Sequence, residues 1–192
     1  MEVFGLNFSP LSIEEITDKL AHDKESITLF TANLDHIVKM RKNSMFRSAY
    51  RNANIVTADG FPVFFYVSLR GISLPGRVTG ADLFSAVLLR LLPEKHKPFF
   101  VVSDNETATR LECALVERGF ANNMTMVPPF GFERDVQFSS DLARKIKERE
   151  TTHLFFCVGA PKSEIWLDQY RQLIGPCHAL AFGMGANFFA GT

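Results

Sequence analysis

The stretch "TADGFPVFFYVSLRG", residues 57–71, places one carboxylate, Asp59, between a β-branched apolar run and a glycine. Two roles suit an acid there. Asp is a preferred helix N-cap, and the following Gly-Phe-Pro fits the opening of a helix. An Asp at a strand end facing apolar residues can also have its proton affinity set for base work. The two roles are compatible. Arg77, in "LPGRVTG", is a solvated arginine by default and a bidentate clamp on phosphate or carboxylate in a functional reading.

The surrounding sequence alternates between two periods. "SITLFT", "NIVT", "PFFVVS", "MTMV", "THLFFCVG" and "HALAFG" are short apolar runs that predict strands. Between them lie stretches with helical spacing: 33–50, "GFPVFFYVSLRG", "GADLFSAVLLRLL", "NETATRLECALVERG", "SSDLARKIKERE" and "KSEIWLDQYRQLI". Ser12 with Glu15, Thr79 with Asp82 and Ser103 with Glu106 read as capping patterns, and Gly119 as a helix stop. The alternation predicts a single α/β domain with a Rossmann-like, mostly parallel sheet covered by helices on both faces.

In such sheets ligands bind outside the carboxyl ends of the strands. Those ends carry Thr31 and Asn33, Thr57 and Asp59, Ser103 and Asp104, Val127 and Pro128, Gly159 through Ser163, and Gly183 through Asn187. Helices start there too, so free N–H groups and positive dipole ends favour a phosphate. GxGxxG after the first strand, GxxxxGK[ST] and GxSxG do not occur, which weighs against a dinucleotide oxidoreductase, a P-loop NTPase and an α/β-hydrolase. No Asp-x-Asp occurs, and the five histidines are scattered without metal-ligand spacing, so no metal site and no cofactor are expected.

Composition bounds the rest. A chain of 192 residues with 46% hydrophobic residues and 19 Phe has material for a substantial core. Lys+Arg and Asp+Glu balance at 21 each, which argues against broad binding to a nucleic-acid backbone. Cys113, Cys157 and Cys177 read as buried small apolar residues in a reducing compartment. The N-terminus lacks the order of a signal peptide, and no apolar run approaches the roughly 18–20 residues of a membrane span. A cytoplasmic protein, soluble or peripherally attached, is expected.

In order along the chain come "TAN", "TADG", "LPGRVTGADL", "VPPFGFE", "VGAPKSEIW" and "GMGANFFAG". This series, running from about residue 3 to 192, resembles the WecG/TagA/CpsF glycosyltransferases, with "ADG…RVTGADL" its most specific part. The resemblance implies an inverting transfer, without an essential metal, of a hexosyl or N-acetylhexosaminyl group. The donor would be a UDP-sugar, the acceptor a saccharide on a polyprenyl diphosphate, and the setting bacterial surface-polymer synthesis at the inner face of the membrane. It places Asp59 as general base, Thr31 and Asn33 beside it, and Arg77 near the donor diphosphate. Lys162 is the further cation the sequence offers for the departing diphosphate.

Two positions depart from the family's pattern. Ser163 stands where many members have Gln in "PKQE" or "PRQE", and Asn187 where many have Asp in "FDFLAG". Both lie at strand ends expected to line the site, so the donor sugar, commonly of the N-acetylmannosamine type, is open, glucose included. The family also continues into a basic, membrane-reaching appendage beyond "MGANFFAG". The single domain 1–192 is therefore expected to bind UDP but to transfer poorly alone. Helix "GFPVFFYVSLRG" is apolar on more than one side, which suggests burial or a homodimer. The rivals are a non-catalytic nucleotide-sugar-binding protein and a different nucleotide-sugar-modifying enzyme.

Overall fold

The computed structural model describes residues 2–122 and 124–191. A small antiparallel hairpin, β1 (Glu2–Val3) and β2 (Leu6–Asn7), leads into α1 (Ile13–His22). Then follow β3 (Thr28–Ala32), α2 (Leu34–Lys42), α3 (Ser44–Asn52), β4 (Ile55–Ala58), α4 (Phe61–Leu69) and α5 (Gly80–Arg90). The second half runs β5 (Pro98–Val102), α6 (Asn105–Glu117), β6 (Thr125–Met126), a 3₁₀ turn (Phe132–Arg134) and α7 (Val136–Glu148). It finishes with β7 (His153–Cys157), α8 (Lys162–Tyr170), β8 (His178–Ala181) and α9 (Gly185–Ala190).

Six strands form one sheet in the order β4-β3-β8-β7-β5-β6, every pair parallel. The expected Rossmann-like architecture is what the chain adopts. Its strands are apolar throughout because both faces are covered. Along β5, Phe99 and Val101 point to one face and Phe100 and Val102 to the other. On the first face Phe156 stacks on Trp166 of α8, with centroids 4.6 Å apart. On the second, Phe100 stacks on Phe155 at 4.6 Å and Phe84 of α5 meets Phe155 edge-on at 5.2 Å. Burying one such ring is worth about 1.5–3 kcal/mol, so the phenylalanines dominate the core energetics.

The helix starts at Ser12 and Thr79 form as the sequence suggests. Ser12 and Glu15 bond reciprocally, and Thr79 Oγ1 accepts the Asp82 N–H at 3.1 Å. Several elements differ. The stretch 33–50 is two helices, because Asn43 leaves helical geometry and caps the second through its side chain, 3.0 Å from the Phe46 N–H. At α6 the cap is Asp104, whose Oδ1 accepts the Thr107 N–H at 2.8 Å, and not Ser103. Asp135 caps α7 ahead of the expected start. Cys113 is exposed, while Cys157 and Cys177 are buried as expected. On α4 the core face is Val63 and Val67, whereas Phe61, Phe65 and Leu69 face out. Among the described residues no helix is long and apolar enough to cross a membrane.

Candidate functional site

The carboxyl ends of β3, β4, β7 and β8 surround a cleft of about 490 Å³. It opens beside β3, where the chain connects outward to β4 on one side while β8 lies on the other, which is where doubly wound sheets split apart.

Asp59 follows β4 directly. Its backbone N–H bonds to Ala32 O at 2.9 Å, which continues the ladder one step past the strand. Its side chain does not cap α4. The N-cap there is Gly60, at φ 93°, a backbone conformation that suits glycine, and no side chain bonds the first turn. Asp59 Oδ2 instead accepts the N–H of Gly80, at the start of α5, at 3.2 Å. One carboxylate oxygen is thereby held by a helix N-terminus, and the other has no donor among the described residues. The capping half of the expectation is corrected, and its physical reason is tertiary: a donor 21 residues away takes the place of the local one.

Thr31 and Asn33 flank Asp59 on the neighbouring strand end, and both line the cleft. Thr31 is buried, and its carbonyl accepts the Tyr50 hydroxyl at 2.7 Å. Asn33 caps α2, with Oδ1 3.0 Å from the His36 N–H. Arg77 also lines the cleft, is exposed, and makes no ion pair among the described residues. Thus four of the seven residues singled out in the sequence converge: Thr31, Asn33, Asp59 and Arg77.

Lys162, Ser163 and Asn187 do not line it. Lys162 extends over the ring of Phe130, 5.5 Å from its centroid. Ser163 is fully buried and donates to Gly159 O within its own turn at 3.3 Å. Asn187 is buried in α9, where Nδ2 donates to Asp104 Oδ2 at 3.1 Å and Thr107 Oγ1 at 2.8 Å, tying α9 to α6.

His36 and Lys39 line the cleft without having been singled out. With Asn33 they occupy i, i+3 and i+6 of a helix that starts at a strand end, and that spacing was the available signal. Lys39 Nζ lies 2.6 Å from Asp35 and 3.4 Å from Ala160 O, so it bridges the β3 and β7 sides of the opening. Burial pushes His36 below its usual value, which leaves the ring neutral at neutral pH. The far wall is backbone. A Cβ on Gly185 would fall 3.1 Å from Gly80 O, and one on Gly80 3.0 Å from Phe182 O, so α5 and α9 pack main chain to main chain. Among the described residues no group of three or more His, Cys, Asp or Glu is arranged to hold a metal ion.

The cleft brings together the Asp59 carboxylate, the cations Arg77 and Lys39 and the N-terminus of α5, with Asp35 paired to Lys39 and Asp82 accepting from the Thr79 hydroxyl, which suits a negatively charged ligand beside a group that accepts a proton. The model of the Glycosyl transferase WecG/TagA/CpsF family matches residues 1–192. The chain belongs to this family. A curated WecG/TagA/CpsF-type relative, the N-acetylglucosaminyldiphosphoundecaprenol N-acetyl-beta-D-mannosaminyltransferase of Bacillus spizizenii, is 26% identical over 161 residues. The match covers 83% of this chain and 60% of that protein, so the chain spans less than two thirds of its relative's length.

Proposed function

We propose that this protein transfers a sugar from a UDP-sugar to a saccharide carried on a polyprenyl diphosphate, with inversion and without a metal. The observation that supports this best is the convergence of Asp59, Arg77 and the N-terminus of α5 in one cleft. In the reaction the acceptor hydroxyl gives its proton to Asp59, and its oxygen forms the new bond to the anomeric carbon. The bond from that carbon to the β-phosphate oxygen breaks, and UDP leaves with the electron pair. Attack opposite the departing group inverts the anomeric centre. Asp59 is suited to the base role because Oδ2 is fixed by Gly80 N–H while Oδ1 stays available. Arg77, Lys39 and the α5 N-terminus offset charge on the departing diphosphate.

The family and the relative's acceptor favour an N-acetylglucosaminyl diphosphate lipid as acceptor and an N-acetylhexosamine as the transferred group. An acceptor of that kind is met at a membrane surface, here the inner face of the bacterial membrane. The rim of the cleft carries exposed Met184 and Phe188, which suit contact with a lipid surface. The outward face of α4, with Phe61, Phe65 and Leu69, is the surface on which a second copy would pair, and sedimentation at rising concentration tests it.

The test is transfer itself. The protein is incubated with a panel of UDP-sugars and an N-acetylglucosaminyl diphosphate on a short alkyl chain, with and without EDTA, and products are weighed by mass spectrometry. One UDP-sugar should give an EDTA-insensitive product, and Arg77→Ala should weaken UDP binding in calorimetry. No UDP binding, or transfer only with added Mg²⁺ or Mn²⁺, would overturn the proposal.

A further inference from the structure

His36 has no part in the proposed reaction, yet its side chain is held from several directions. Its Nδ1 lies 2.9 Å from Thr31 O and 2.7 Å from the Tyr50 hydroxyl. Tyr50 itself donates to Thr31 O at 2.7 Å. A carbonyl oxygen only accepts, so the hydrogen on the neutral ring sits on Nδ1, and the Tyr50 oxygen offers that N–H a second lone pair. Nε2 is then a bare acceptor. The rings of Phe46 and Tyr50 meet the imidazole edge-on, with centroids at 5.7 and 6.1 Å, and fix its plane. The residue is 8% exposed and lines the cleft. Nε2 makes no hydrogen bond among the described residues and is not one of their buried, unsatisfied atoms, so its lone pair is open to solvent on a residue that lines the cleft.

The charges felt at His36 come from Asp35 and Lys39 on its own helix and from Asp59 at the end of β4. From α3 it faces Tyr50, and beyond Tyr50 lies the carboxyl of Glu164 on α8. His36 thus sits on the Asp59 side of the cleft, where the proton is taken from the acceptor. A sugar held only by its attacking hydroxyl can still rotate, and transfer rates depend on removing that freedom. Asp59 cannot do this alone, since one of its oxygens already serves Gly80.

Resting on the function proposed above, we propose that His36 Nε2 accepts a hydrogen bond from a hydroxyl of the acceptor saccharide and so sets the angle at which its attacking hydroxyl meets Asp59. The residue is a determinant of acceptor binding. A sugar lacking a hydroxyl at that position leaves the imidazole unpaired and is discriminated against.

Two substitutions separate the two ring nitrogens. His36→Asn keeps an N–H near the Nδ1 position for Thr31 O and removes the acceptor at Nε2. His36→Gln places an amide oxygen near the Nε2 position. With the alkyl-linked N-acetylglucosaminyl diphosphate, His36→Asn should raise the acceptor KM about tenfold or more and lower kcat at saturating acceptor, with UDP affinity within about twofold of wild type. His36→Gln should recover most of that loss. In the unsubstituted protein the ¹⁵N resonance of His36 Nε2 should lie in the unprotonated range and move when acceptor is added. An unchanged acceptor KM in His36→Asn, or an Nε2 resonance insensitive to acceptor, would each overturn the inference. Absence of both UDP binding and turnover in the unsubstituted protein would overturn it together with the proposed function, whereas turnover with a normal KM in His36→Asn overturns this inference alone.

Discussion

The carboxylate of Asp59, at the end of β4, accepts the backbone N–H of Gly80, at the start of α5, over 3.2 Å. The segment between these residues holds α4 and then Arg77, so one hydrogen bond ties together the two ends of the stretch that brings the cation to the cleft. The bond leaves one carboxylate oxygen facing the cleft and gives the acid a definite orientation without a local cap.

Asp59→Asn can keep that bond, because the amide oxygen accepts from Gly80 as the carboxylate does. The variant should therefore fold and melt like the wild type while losing about 10²–10⁴ in transfer rate for want of a base. Thermal melts and initial rates on the same preparation check this. Wild-type turnover would remove Asp59 from the base role.

Asn187→Asp should act on stability and not on the choice of sugar. Its Nδ2 donates to Asp104 Oδ2 at 3.1 Å and to Thr107 Oγ1 at 2.8 Å, so a carboxylate there would face the carboxylate of Asp104. Burial without the donated bond, together with like charge, costs about 1–3 kcal/mol. Denaturant unfolding at neutral pH measures the loss, and the order of preference among UDP-sugars should stay the same.

At the other end of the sheet the rings of His96, His153 and His178 lie in a row, the first pair edge-to-face and the second tilted, with centroid separations of 5.2 and 4.9 Å. His153 Nε2 donates to Leu20 O at 2.8 Å, and burial beside His178 pulls the ring down to about 3. A histidine whose folded value lies below its unfolded one contributes stability that is complete above about pH 6.5 and is lost as pH falls toward about 3. Unfolding should take up protons there, with stability falling by about 1.4 kcal/mol per pH unit for each proton. His153→Gln, which keeps a donor for Leu20, should flatten the slope between pH 6.5 and 4, as followed by urea titrations at stepped pH.

Glu164 works in the opposite direction. Fully buried on α8, with Oε2 unpaired, its carboxyl is pushed up to about 7 by loss of solvent. A raised acid contributes stability that is complete below its ordinary value of 4.5 and is lost as pH rises through about 7. Glu164→Gln should stabilise the protein at about pH 8, by on the order of 3 kcal/mol, and change little at about pH 5. A wild-type melting curve at alkaline pH would show that the carboxyl is solvated in solution.

The alternation of short apolar runs and helical stretches was enough to give the parallel sheet, because strands buried on both faces must be apolar at every position, as "PFFVV" and "HLFFC" are. The strand ends likewise located Thr31, Asn33 and Asp59 at one edge, while Arg77, in a loop, was brought to it only by the family resemblance. What escaped was set by distant partners. That Asp59 bonds Gly80 and not its own helix, that Asn187 reaches back to residues 104 and 107, and that Ser163 turns inward all depend on which helices meet across the sheet. The break at Asn43 was hidden for a different reason: apolar spacing continues through it, and only the side-chain bond to Phe46 shows that the chain has stopped and restarted. His36 looked unremarkable among five scattered histidines because its tautomer is decided by a carbonyl and a tyrosine on other elements.

The main-chain contact between Gly80 and Gly185 gives the cleft a jaw with one fixed side. With no side chain between them, α5 and α9 cannot slide past or lean apart without separating backbones already in contact. The amide that holds Asp59 belongs to that fixed side. Arg77 and Lys39, on an exposed loop and a helix flank, belong to the side free to adjust. A ligand of unusual girth would be accommodated by displacing the cations and not the base, so a change in substrate size should register in grip on the diphosphate before it registers in the geometry of proton removal.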